Sequence, residues 1–274
     1  MFGRLKPKVA VLRLNGVIGG FGPLRRGMSL QSMASMIQRA FSMKGLKAVA
    51  LSINSPGGAP VQSSLIYRRI RDLAQEKNVP VLVFVEDVAA SGGYWLACAG
   101  DEIYADSNSI VGSIGVVSSG FGFVEAIRRI GVERRVYTAG KHKAMLDPFR
   151  PENERDVAHL RTIQEDMHTS FIDLVKRRRG KKLKGDNLFT GEFWTGKRAL
   201  DLGLVDAIGD LRTVCRDRFG EKVRLVVVGE KRGWLKRGFG LVGTETSGSS
   251  WGFDLGAGAL ASMEERALWS RFGL

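Results

Sequence analysis

Cysteine is scarce in this chain: Cys98 and Cys215 are the only two in 274 residues. They lie far apart and without metal-ligand spacing, which argues against a disulfide framework or a zinc site and suits a reducing compartment. Histidine is nearly as rare, with His142, His159 and His168. Long apolar runs are missing too. No uncharged stretch reaches the ~18 residues that would read as a spanning helix. The first segment, "MFGRLKPKVAVLRLNGVIGG", is basic, but Arg13 and Asn15 break its apolar run, so it makes a poor signal peptide. The expectation is a cytoplasmic protein, soluble or peripheral to the inner face of the membrane.

Acidic residues are in the minority, 28 against 42 Lys and Arg, for a net charge of +14. Such a balance favours anionic surroundings. Much of the excess sits in "KRRRGKKLK" (176–184), seven basic residues in nine. The run reads either as a solvated helix end or as a patch making peripheral contact with an anionic membrane. No nucleic-acid partner is expected, because zinc spacing, RNP-like aromatics and basic-region heptads are all missing.

What is present is a regular alternation. Apolar, β-branched runs predict strands at 8–14, 47–53, 80–86, 134–138 and 223–228. Helical periodicity fills 30–43, with Met33, Ile37 and Ala40 on one face, and 61–76, with Leu65, Ile66, Ile70 and Leu73. A long helix is predicted over about 151–178, with Val157, Leu160, Ile163, Met167, Phe171 and Leu174 as its buried stripe. The alternation implies an α/β fold with parallel strands. The tail, 232–274, is rich in Gly and Ser yet holds Trp234, Trp251 and Trp269, and "SMEERALWSRFGL" suits a short amphipathic helix.

Two strand-to-helix turns carry the chemistry. "INSPGG" (53–58) and "AASGGYW" (89–95) both place small residues and paired glycines between a strand and a helix. Glycine permits backbone conformations closed to other residues. The first amides of a helix lack partners and favour negative charge. In a parallel sheet both turns fall on the carboxyl edge, where sites form. One turn could present Ser91 as a nucleophile, and both could donate to an oxyanion. A phosphate site is the rival, although neither turn matches the P-loop or dinucleotide fingerprints. A nucleophilic serine needs a base. His159 and His168 read as surface residues of the long helix. The loop 138–146 offers Lys141, His142 and Lys143, and a lysine serves as a base when burial lowers its pKa. Spacing alone does not choose among them.

Taken together, "INSPGG", "AASGGYWLACAGDEIYADSNSIVGSIGVV", "AGKHKAMLDPFRPENE" and "FWTGKRALDLGLVDAIGDL" resemble peptidase family S49, the signal peptide peptidase A type. The resemblance runs from about residue 8 to 215. It implies a Clp protease/crotonase-like fold of repeated ββα units and a homo-oligomeric ring. It also implies a Ser–Lys dyad: nucleophile Ser91, base Lys143, Ser113 of "VGSIGVV" orienting the lysine, and an oxyanion hole from the amides of Gly58 and Gly92. Residues 1–220 would form the catalytic domain, and 221–274 a final strand and a Gly/Trp-containing extension. The implied partner is an extended apolar peptide such as a remnant signal peptide, with no cofactor and no metal. Soluble relatives with other substrates, such as phage capsid-maturation proteases, share the dyad. A Clp-type Ser-His-Asp site would need a histidine within 105–125, where none occurs. A crotonase-like acyl-CoA enzyme would account for the glycine turns but not for the remaining motifs. An inactive scaffold would leave the intact serine and lysine without a purpose.

Overall fold

A computed structural model describes residues 6–19, 27–229, 263 and 266–274. The strands are β1 (Lys8–Asn15), β2 (Leu46–Ser55), β3 (Val81–Ala90), β4 (Glu102–Ala105), β5 (Ile110–Gly112), β6 (Phe193–Thr195), β7 (Ala207–Ile208) and β8 (Arg224–Val227). The helices are α1 (Leu30–Phe41), α2 (Pro60–Lys77), α3 (Gly92–Ala97), α4 (Val124–Arg129), α5 (Glu154–Arg179), α6 (Gly196–Asp201) and α7 (Leu211–Phe219).

The strands form one sheet in the order β6-β5-β3-β2-β1-β8, with β4 beside β3 and β7 beside β4. Every pairing is parallel except β5 with β6. Parallel strands covered on both faces read as nearly continuous apolar runs. Here Ala10, Leu12, Leu51, Ile53, Val83 and Val85 pack toward one core with residues of α1 and α2. The alternate residues Val9, Val11, Ala48, Ala50, Leu82 and Phe84 pack with Cys215 of α7. Ser29 caps α1 in a reciprocal box with Ser32, and Pro60 opens α2 at its first turn.

β3 is longer than its predicted run. Its first half, Leu82–Val85, pairs with β4, and its second half, Val88–Ala90, pairs with β5. Between them the register against β2 slips, since Ile53 faces Val85 but Ser55 faces Ala89. The extra length on β3 is a bulge around Glu86 and Asp87. Asn54 holds it, donating to Asp87 Oδ2 at 2.6 Å and accepting from the Val88 amide at 3.3 Å.

Two expectations fail. Residues 134–138 form no strand and are exposed. They belong to an arm, 116–150, that is almost wholly exposed and joins no sheet. Its internal contacts are its own: Phe123 stacks on Phe149, and Arg134 lies over the Phe149 ring and pairs with Asp147. The buried stripe of α5 is also shorter than predicted. Phe171, Leu174 and Val175 are buried, whereas Ile163 and Met167 are 37% and 39% exposed. Only the C-terminal part of α5 reaches the core, where Phe171 meets Trp95 of α3.

That end is fastened by charge, and Arg178 and Arg179 of the basic run are used inside the fold. Arg178 donates to the carbonyls of Cys98 and Gly100. Arg179, 4% exposed, donates to the Gly203 carbonyl and to both oxygens of Asp206, at 2.8 and 3.1 Å. Lys182 reaches Asp206 at 2.7 Å, and the Ile103 amide donates to the same carboxylate. Lys176 lies over the Phe189 ring. Arg177, Lys181 and Lys184 remain exposed.

Burial pushes the Asp206 carboxyl up, but the hydrogen bonds from Arg179 and Lys182, the Arg179 charge and the Ile103 amide together outweigh it and hold the group below the usual carboxylate range. A lowered folded-state pKa means that the unfolded chain binds the proton more readily. The stabilisation is therefore complete above the ordinary carboxyl range and is lost as pH falls through the lowered value. Removing one partner strands a buried charge. Asp206→Asn should lose about 3 kcal/mol of unfolding free energy at neutral pH and show a shallower acid limb. Denaturant titrations at neutral and acid pH would check both.

Candidate active site

The parallel register aligns three strand ends. Ser55↔Ala89 and Ala90↔Gly112 bring the turns after β2, β3 and β5 side by side. Ser91 and Ser113 each follow the last residue of a paired strand. Both carry left-handed backbone, at φ 51° and 53°. The Ser91 amide donates to the Gly112 carbonyl at 2.8 Å, so the two turns are joined directly. Ser113 is 7% exposed, and its amide donates to the Glu192 carbonyl.

Ser91 stands at the N-cap position of α3 but does not cap it. Its φ, ψ of 51°, −122° is costly for a residue with a Cβ. The strain goes with a hydroxyl that has no hydrogen-bond partner among the described residues: the backbone turns sharply and leaves Oγ at the sheet edge.

The turn after β2 meets it without side chains. A Cβ on Gly57 would lie 2.8 Å from both the Gly92 nitrogen and the Ser91 Cβ, and φ 107° already excludes most residues there. A Cβ on Gly92 would lie 3.3 Å from the Gly58 nitrogen. Neither the Gly58 nor the Gly92 amide donates to a backbone or side-chain acceptor among the described residues. Two free N–H groups beside a strained serine hydroxyl can hold the oxygen of a carbonyl under attack. The described residues contain no cluster suited to a metal ion.

The structure thus brings together Gly58, Ser91, Gly92 and Ser113. Lys143 stands apart, exposed in a turn of the arm, and no hydrogen bond links it to Ser91 among the described residues. His142 is exposed beside it, and His159 is exposed on α5. His168 differs from the expected surface residue: it is half-buried, with Nε2 3.1 Å from the Ile114 carbonyl, next to Ser113. Sequence reasoning missed Asn54, Ser55 and Ser63, which support the turns; only the position of Asn54 and Ser55 inside "INSPGG" hinted at them. Both cysteines are buried and free, and burial pushes the Cys98 thiol up to about 12. A cleft of about 790 Å³ lies elsewhere, against Val11, Phe84, Leu225 and Val227, and no residue of the glycine turns lines it.

The strain at Ser91 has a measurable consequence. Glycine accepts this backbone freely. Ser91→Gly should therefore unfold at higher denaturant than Ser91→Ala, by roughly 1 kcal/mol. Equal stabilities would show that the turn carries no such strain.

The chain matches the model of peptidase family S49 over residues 73–222. Serine protease SPPA, chloroplastic, of Arabidopsis thaliana is 33% identical over 219 residues, 75% of this chain and 31% of that protein. Protease 4 of Haemophilus influenzae is 34% identical over 203 residues, 74% and 33% of the respective chains. A Brucella abortus protein named Na(+)/H(+) antiporter NhaA is 53% identical over 279 residues, 100% of this chain but 38% of that protein. The chain therefore spans between 31% and 38% of the length of these relatives. Among its described residues no helix is long and apolar enough to cross a membrane. With a family match over more than half of its length, and relatives named as proteases that match 75% and 74% of it, the chain belongs to peptidase family S49.

Proposed function

We propose that the chain is a serine endopeptidase with a Ser91–Lys143 dyad, built on a Clp protease/crotonase-like fold and acting on extended apolar peptides such as remnant signal peptides. The observation that carries this reading is Ser91 itself, strained and uncapped beside the free amides of Gly58 and Gly92. Neutral Lys143 takes the proton from Ser91 Oγ as that oxygen attacks the peptide carbonyl. The amides of Gly58 and Gly92 hold the oxyanion. The C–N bond then breaks, and the Lys143 ammonium returns its proton to the leaving amine. Lys143 next takes a proton from water, the hydroxide adds to the acyl ester, and Ser91 Oγ departs with that proton. Ser113 orients the amine, the part played by the third member of a triad.

Lys143 must come to Ser91 for this chemistry. The same arm exposes Phe121, Ile130, Val132 and Tyr137, the last 90% exposed, and α5 exposes part of its apolar stripe. Exposed apolar surface of this kind favours association. Assembly of copies of this chain is the proposed step that covers the arm and brings a Lys143 amine to a Ser91 hydroxyl.

The test is cleavage of a quenched apolar peptide from about pH 6 to about pH 10. The wild-type rate should rise with pH through one ionisation, because the base acts when it has lost its proton. Ser91→Ala and Lys143→Ala should each lose at least on the order of 10³-fold. Activity that survives either substitution would reject the dyad.

A further inference from the structure

The turn that presents the Gly58 amide is held at every neighbouring peptide group. The Gly57 amide donates to Ser55 Oγ at 3.2 Å. The Gly57 carbonyl accepts from the Ile18 amide at 2.8 Å, and the Ala59 amide donates back to the Ile18 carbonyl at 2.8 Å. The Ala59 carbonyl accepts twice from Ser63, from its amide at 3.1 Å and from Oγ at 3.0 Å. In this bridge Gly57 and Ala59 turn their polar groups toward Ile18, so Gly58 turns its N–H the other way. The Gly58 nitrogen lies 3.3 Å from where a Cβ on Gly92 would stand.

Ser55 and Ser63 are both completely buried. They also set the gap between the two turns. A Cβ on Gly92 would come within 2.5 Å of Ser63 Oγ, and one on Gly93 would come within 3.3 Å of Ser55 Cβ. Each serine thus holds the first turn by a hydrogen bond while touching the glycine backbone of the second.

We infer that Ser55 and Ser63 are positioning residues for the oxyanion hole: their hydroxyls aim the Gly58 amide and fix its distance from the Gly92 amide. The inference rests on the peptidase reading above. A full oxyanion donor is worth roughly 10²–10³ in rate. A donor that has lost one of its supports should forfeit part of that.

Ser55→Ala, Ser63→Ala and the double variant would be compared with wild type and Ser91→Ala, with thermal unfolding to verify that each is folded. Each single change should lower kcat roughly 10-fold and the pair roughly 10²-fold, with little change in KM. Binding of a peptide aldehyde separates positioning from general loosening. Ser91 Oγ adds to the aldehyde carbon, and the carbonyl oxygen becomes the hemiacetal oxygen in the hole. The matching peptide alcohol forms no such bond. Aldehyde affinity should fall with kcat while alcohol affinity stays constant. Ser63→Thr retains a hydroxyl suited to bonding the carbonyl four residues back, and should keep kcat near wild type. Unchanged kcat in both alanine variants, or equal weakening of aldehyde and alcohol, would overturn the inference while the peptidase reading stood. Wild-type hydrolysis no faster than that of Ser91→Ala would overturn the peptidase reading, and this one with it.

Discussion

How near two backbone turns can come to each other governs this site. The turn after β2 approaches the turn after β3 so closely that a single Cβ at Gly57 would strike the Ser91 Cβ and the Gly92 amide. Parallel pairing supplies the coarse alignment by ending adjacent strands on one edge. The bulge in β3, clamped by Asn54, supplies the fine adjustment: it takes up extra chain between Val85 and Ala89 and so sets Ala89 level with Ser55. The positive-φ backbone at Ser91 and Ser113 then turns the chain away, and the Gly58 and Gly92 amides beside Ser91 donate to no acceptor among the described residues. The strain in those two residues and the hydrogen-bonding capacity of the edge are aspects of one geometry.

Such a geometry needs a rigid foundation, and the fold provides it with buried polar bonds. Tyr94 of α3 is fully buried and donates to the Leu204 carbonyl at 2.8 Å. Burial pushes its hydroxyl well above its ordinary pKa, so it remains a donor. Asp206, a short step along the chain, gathers Arg179, Lys182 and the Ile103 amide. These contacts tie α3, the end of α5 and β4 into one body beneath Ser91. Within the cationic run at the end of α5, which reads from composition alone as a surface feature, Arg178 and Arg179 are an internal fastening.

The arm behaves differently. It has its own small aromatic and ionic cluster around Phe149, yet it exposes apolar residues and carries Lys143 away from the rigid edge. The proposed nucleophile and oxyanion donors therefore belong to the sheet edge, and the proposed base belongs to a segment that exposes apolar surface. An enzyme divided in this way would couple its activity to its assembly.

The long central strands and the faces of α1 and α2 were legible in the sequence because burial on both sides of a parallel sheet demands apolar runs, and helical packing demands its own period. The glycine turns pointed to Ser91 and the resemblance to family S49 added Gly58, Gly92 and Ser113, and these four fall on one edge of the sheet. Short strands such as Phe193–Thr195 and Ala207–Ile208 left little pattern, because pairing rather than composition makes them strands. The run 134–138 has strand composition but no neighbour to pair with. The half-covered stripe of α5 is helical by period, while what covers it depends on other elements. Local chemistry along the chain determined which turns could be built and which residues they present. Tertiary structure alone decided the distances between those turns, the buried bonds of Ser55, Ser63 and Asp206, and the place of Lys143, because contacts between distant segments arise only when the sheet register brings them together.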